Sequence, residues 1–180
     1  MSGTLIEVRN LRRVFDVSKP WLNRVIEGGH LELLKAVDGV SFDIKRGETF
    51  ALVGESGSGK TTVARMVVGL LPPSSGEVVI DGVSMTDPRQ GQARRRLRRR
   101  IQMVFQDPYS SLDPRMAVRT SIAEAGVDAA RADEVLELVG LAGTGERTPR
   151  QFSGGQRQRI SIARAAAPRP SILLADEPVS

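Results

Sequence analysis

Apolar and polar residues alternate over Leu5-Ile6-Glu7-Val8, and the alternation runs on toward Val14-Phe15. It returns over Ala36 to Ile44, before a Lys45-Arg46-Gly47-Glu48 turn. A period of two marks half-buried strands, so the first part of the chain is expected to form an antiparallel β subdomain. Pro20 to Glu32 interrupts the pattern, holds Trp21, Gly28, Gly29 and the sole histidine, His30, and reads as a loop insertion. The short apolar run Thr49 to Val53 predicts a buried strand. Thr61 to Leu71 shows helical spacing, which Pro72-Pro73 should end. Glu77 to Ile80 and Ile101 to Phe105 read as further strands, with a turn at Asp81-Gly82 after the first. Ala129 to Val139 predicts a helix with Val135, Leu136, Leu138 and Val139 on its apolar side and Gly140 as C-cap. A second long helix is expected from near Gly155 to before Pro168, and a last strand over Ser171 to Ala175.

The predicted strand, glycine-rich loop and helix around Gly54-Glu55-Ser56-Gly57-Ser58-Gly59-Lys60-Thr61-Thr62 have a chemical meaning. Gly54, Gly59, Lys60 and Thr61 satisfy G-x-x-x-x-G-K-[ST], in which glycines let consecutive backbone N–H groups converge on a nucleotide's phosphates. Lys60 supplies a point charge to the β- and γ-phosphates, the Thr61 hydroxyl a ligand for Mg²⁺, and the following helix its positive end.

Asp176-Glu177 ends the apolar run Ile172-Leu173-Leu174-Ala175, at the strand edge where α/β folds place nucleotide sites. Asp176 is a candidate Mg²⁺ ligand. Glu177 is the candidate general base, because a neighbouring like charge and partial burial raise its proton affinity. Such a pair is common on surfaces and gains meaning from the upstream loop. Ser153-Gly154-Gly155-Gln156 supplies a second helix-start anion site, beyond what one phosphate loop needs. A plain Ser-Gly-Gly helix cap is the other reading.

Composition narrows this picture. A length of 180 residues and 40% apolar content suit one globular domain. The lack of Cys excludes disulfides, thiol catalysis and Cys-ligated zinc. Met1 to Glu7 does not read as a signal peptide, and Val63 to Leu71, interrupted by Arg65, is far shorter than the roughly 20 residues of a spanning helix. Much of the net charge of +5 gathers in six arginines around Leu97. They read either as an anion-binding patch or as a solvated helix end, and the absence of interleaved aromatics favours the second.

Phe152-Ser153-Gly154-Gly155-Gln156-Arg157-Gln158-Arg159 resembles the signature of ATP-binding cassette (ABC) ATPases, and the resemblance runs from Phe15 to Ser180. It implies an α/β P-loop NTPase core with an N-terminal antiparallel β subdomain and a small helical subdomain. The expected division is 1–106 for the β subdomain and loop core, 107–152 for the helical part, and 153–180 for the signature helix and last strand. It implies ATP and Mg²⁺ as ligands. Residues expected at the nucleotide are Gly54, Ser56, Gly57, Ser58, Gly59, Lys60, Thr61 and Thr62, and, across a dimer, Ser153, Gly154, Gly155 and Gln156. Gln106 falls on the family's glutamine that senses Mg²⁺ and water. Phe15 falls where an aromatic stacks on adenine, although a core phenylalanine at a strand end fits as well.

Val53 to Lys60, Phe105 to Arg115 and Ala175 to Ser180 are similar to the oligopeptide and dipeptide importer branch. The resemblance therefore implies a subunit on the cytoplasmic face of the membrane, hydrolysing ATP to drive uptake of peptides. Its partners would be membrane-spanning permease subunits, a second cassette and, indirectly, an extracytoplasmic solute-binding protein, with no nucleic acid. The helical insertion looks short for this branch. The family also continues past the position of Ser180 with a dimer loop and a switch-histidine strand, so an incomplete cassette without its C-terminal strands is expected. A non-catalytic remnant and a nucleic-acid-acting ATPase are the alternatives.

Overall fold

The computed structural model describes residues 3–18, 32–105 and 111–176. The chain divides into two compact units, Met1–Arg94 and Arg95–Ser180.

The first unit is built on a four-stranded antiparallel sheet of order β2-β1-β3-β4, from β1 (Thr4–Asp16), β2 (Leu33–Lys45), β3 (Ser75–Ile80) and β4 (Val83–Ser84). Ile6 and Val8 of β1 are buried, and then the parity changes. Val8 pairs with Phe42 and Leu11 with Val40, so β1 holds one extra residue in this stretch, where Asn10 takes a left-handed φ of 47°. A bulge of one residue moves the following side chains to the other parity. Leu11 is therefore the next buried position, and Arg13 and Phe15 follow on its face by period two. Asp81 and Gly82, both at positive φ, make the tight turn expected between β3 and β4.

Helix α1 (Lys60–Val67) buries Val63, Met66 and Val67. It stops four residues before the expected Leu71, at Gly69 rather than at the prolines. Gly69 sits at φ 72°, its N–H donates to the Met66 carbonyl, and the Leu70 N–H donates to the Arg65 carbonyl. That pair of bonds is a Schellman stop, which a left-handed glycine permits. The run Thr49 to Val53 joins neither sheet, and Val53 is 90% exposed. Its apolar sequence is that of a buried strand. Apolarity does not make a strand without a ladder, and among the described residues this run takes part in none.

Helix α2 (Gly91–Arg98) carries Arg94, Arg95, Arg96 and Arg98, with Arg99 and Arg100 just after it, and only its Leu97 is buried. In the second unit, β5 (Ile101–Val104) and β6 (Ile172–Ala175) pair in parallel. Helix α5 (Gly154–Ala166) packs on β5, and α3 (Val118–Ala123) and α4 (Ala129–Leu138) pack on α5 and on each other. Val118, Ile122, Val135, Leu136, Phe152 and Ile160 form one core cluster, which joins the expected helical part to the helix that starts at Gly154. Leu138, expected on the apolar side, is 73% exposed: it ends α4, where Gly140 turns the chain away by a second Schellman stop.

Candidate functional site

In the first unit, the glycine-rich loop is exposed and its last glycine is its tightest point. Gly59 is the N-cap of α1 at φ 93°, and a Cβ placed on it would lie 2.4 Å from the Ala36 carbonyl oxygen and 3.3 Å from Val37 Cγ2. Both a left-handed backbone and contact with β2 therefore demand glycine. The contact falls on a β2 irregularity: Arg13 pairs with Val37 but Val14 with Lys35, which leaves Ala36 as the extra residue. The start of α1 is thus pressed against a bulge, a device that often sits beside functional sites.

Lys60 Nζ folds back and donates to the carbonyls of Gly54 and Glu55, at 2.9 Å each. Its charge is held over the loop. The Ser58 N–H donates to the Glu55 carbonyl and closes the turn. As N-cap, Gly59 offers no side-chain acceptor, and no acidic residue occupies the first turn of α1. The positive end of the helix dipole therefore faces the loop with no acidic side chain of its own first turn beside it. Thr61 and Thr62 stand in that turn, partly buried. Phe15 is partly buried and not among the core residues, and the Arg13 guanidinium carbon lies 4.6 Å from its ring centroid. Arg13 escaped the reading of the sequence; its only signal was a spacing of two from Phe15 on a strand.

In the second unit, α5 opens with Ser153 as N-cap. The Ser153 hydroxyl accepts from the Gln156 N–H, and the Ser153 N–H donates to the Gln156 side-chain oxygen at 2.9 Å. This reciprocal box gives the Gln156 side chain a structural task. Ser153, Gly154 and Gly155 are exposed, and a Cβ on either glycine would meet nothing within 4 Å. Phe152, one residue earlier, is buried in the helical core and anchors the exposed turn. Asp176 follows β6, is only 6% exposed, and donates its N–H to the Val104 carbonyl at 3.0 Å. A carboxylate is rarely buried to this degree without a task. Gln106 and Glu177 lie outside the described residues, as does the insertion around Trp21 and His30. A cleft of about 730 Å³ in this unit is lined by Gln102, Phe105, Ser111 and Arg164 among others.

The family model described as ABC transporter matches residues 37–180, which include the loop, the signature turn and the Asp176 strand. The chain belongs to the ABC transporter family. Two curated ABC relatives span nearly all of it. A putative peptide import ATP-binding protein of Brucella abortus (strain 2308) is 50% identical over 98% of this chain and 54% of its own length. The oligopeptide transport ATP-binding protein AppF of Bacillus subtilis (strain 168) is 40% identical over 98% of this chain and 55% of its own. The chain thus spans about half the length of these relatives. A solved ABC cassette, dimeric, in a post-hydrolysis state and bound to ADP and Pi, superposes with a TM-score of 0.81 at 30% identity, over 97% of this chain and 75% of that one. The fold is the α/β P-loop NTPase fold of ABC cassettes. Among the described residues no helix is long and apolar enough to cross a membrane.

Proposed function

We propose that the chain belongs to the ATP-hydrolysing subunit of an ABC importer that takes up peptides. The observation that carries the reading is the phosphate loop. Its helix start is left without a side-chain cap, its last glycine is locked against β2, and its lysine is held over the loop. The names of the relatives, peptide import and oligopeptide transport ATP-binding proteins, support the cargo class.

In this reading, backbone N–H groups from Ser56 to Thr62 bind the phosphates, and Lys60 moves from the loop carbonyls onto the β- and γ-phosphates. Thr61 and Asp176 offer the hard oxygen donors that suit Mg²⁺, a hydroxyl in a helix's first turn and a buried carboxylate after a parallel strand. The ion supplies charge neutralisation at the phosphates when bound. Glu177 takes the proton of the attacking water, and Gln106 orients that water. Ser153, Gly154 and Gly155 close over the γ-phosphate held by a second cassette. This use explains why two glycines stand where the described chain requires none. The partners are that cassette and membrane-spanning permease subunits, with a solute-binding protein acting indirectly, and the subunit sits peripherally on the cytoplasmic face of the membrane.

The test measures ATP binding and turnover by the full-length protein with its permease partners. Glu177→Gln should keep Mg²⁺-dependent ATP binding and lose turnover. A wild-type protein that binds no ATP in the presence of Mg²⁺ overturns the reading.

A further inference from the structure

We propose that Arg13 is a positioning residue for nucleotide recognition: it braces one face of the Phe15 ring so that a purine base stacks on the other. The inference rests on the reading that the glycine-rich loop holds a nucleotide, and it adds how the base is met.

Three observations carry it. First, register places the aromatic beside the loop. Gly59 rests on Ala36 and Val37 of β2, Val37 pairs with Arg13, and Phe15 is two residues further along β1. Two strand residues span roughly 7 Å, so the ring is one step along the same face from the pair that supports the phosphate loop. Second, Arg13 is tied down. Its guanidinium lies 4.6 Å from the Phe15 centroid, while Nη1 donates to the Pro72 carbonyl at 2.9 Å, in the segment that follows α1. One side chain therefore links the far end of the phosphate-loop helix to the aromatic ring. Third, Nε of Arg13 is buried with no hydrogen-bond partner among the described residues. A buried N–H without an acceptor works against stability. The side chain is thus not placed for the fullest hydrogen bonding; ring and carbonyl set its position.

A guanidinium over an aromatic face is attracted by the ring quadrupole. Holding the ring in one orientation spares a stacking ligand the ordering cost of a mobile aromatic. The ligand class is a purine nucleoside triphosphate.

The experiment compares ATP with inorganic tripolyphosphate, which keeps the phosphate chain and lacks the base. Binding is measured calorimetrically with Mg²⁺ on the full-length protein. Arg13→Met should weaken ATP binding about threefold to tenfold, the range of a cation–π brace, and leave tripolyphosphate unchanged. In a Phe15→Leu background Arg13→Met should have no further effect on ATP. Equal weakening of both ligands overturns the inference, because it marks damage to the loop; so does unchanged ATP binding. Arg13→Gln, which removes the cation and keeps a polar side chain, is read by the same criteria if the methionine variant does not fold. A wild-type protein that binds tripolyphosphate as tightly as ATP overturns the base contact and leaves the phosphate loop standing. One that binds neither overturns the nucleotide reading and this inference with it.

Discussion

The helix that follows Gly59 and the helix that begins at Gly154 both start in glycine, yet their surroundings differ. At Gly59 the chain itself forbids a side chain, through a left-handed backbone and a carbonyl 2.4 Å from the missing Cβ. At Gly154 and Gly155 the described chain forbids nothing, since a Cβ would stand in open space. The caps differ too. The first helix start has no side-chain cap, whereas the second is closed by a reciprocal Ser153–Gln156 box. A glycine required from within shapes its own loop. A glycine with no internal reason leaves room for a molecule that approaches from outside.

The most damaging way to break this contrast is Gly59→Ala. The positive φ alone costs about 1–2 kcal/mol, and the Ala36 clash must displace the loop besides, so ATP binding measured by calorimetry should be lost. Gly154→Ala should leave the thermal midpoint within experimental scatter and reduce ATP turnover steeply; a fall in stability with intact turnover would remove the contrast. Phe152→Ala takes away the buried anchor beneath the exposed turn. Denaturant unfolding should show a loss of about 3–5 kcal/mol, as for other buried aromatics. Ser153→Ala opens the capping box and should cost about 1 kcal/mol by the same measurement. The smallest effect concerns pH. Arg131, hydrogen-bonded to Glu134 at 2.7 Å, holds that carboxyl below its ordinary range. A depressed native value contributes stability above the unfolded pKa and loses it as pH falls through the native one. The thermal midpoint should therefore decline slightly less on acidification in Glu134→Gln than in the wild type.

What was legible in the sequence follows from which residues act locally. Glycine and lysine in the phosphate loop, the Asp81-Gly82 turn and the Gly140 stop each impose a conformation by their own chemistry, and the structure has all of them. The end of α1 was misplaced because Pro72-Pro73 is the louder signal, while Gly69 acts first. Thr49 to Val53 looked like a buried strand because composition reports apolarity and cannot report a partner. Arg13 was passed over because its meaning lies in a pair. The extra residue near Asn10 gives Arg13 and Phe15 the parity of Leu11, and no local pattern announces a bulge.

The Ser153–Gln156 box has a kinetic consequence. Because α5 is already wound and capped at its first residue, a second cassette docking on Gly154 and Gly155, as proposed above, would meet a finished surface and have no turn to fold on arrival. Its rate of capture is then limited by orientation and diffusion rather than by ordering of this chain. Opening the box should slow association more than it hastens release, and stopped-flow mixing would separate the two.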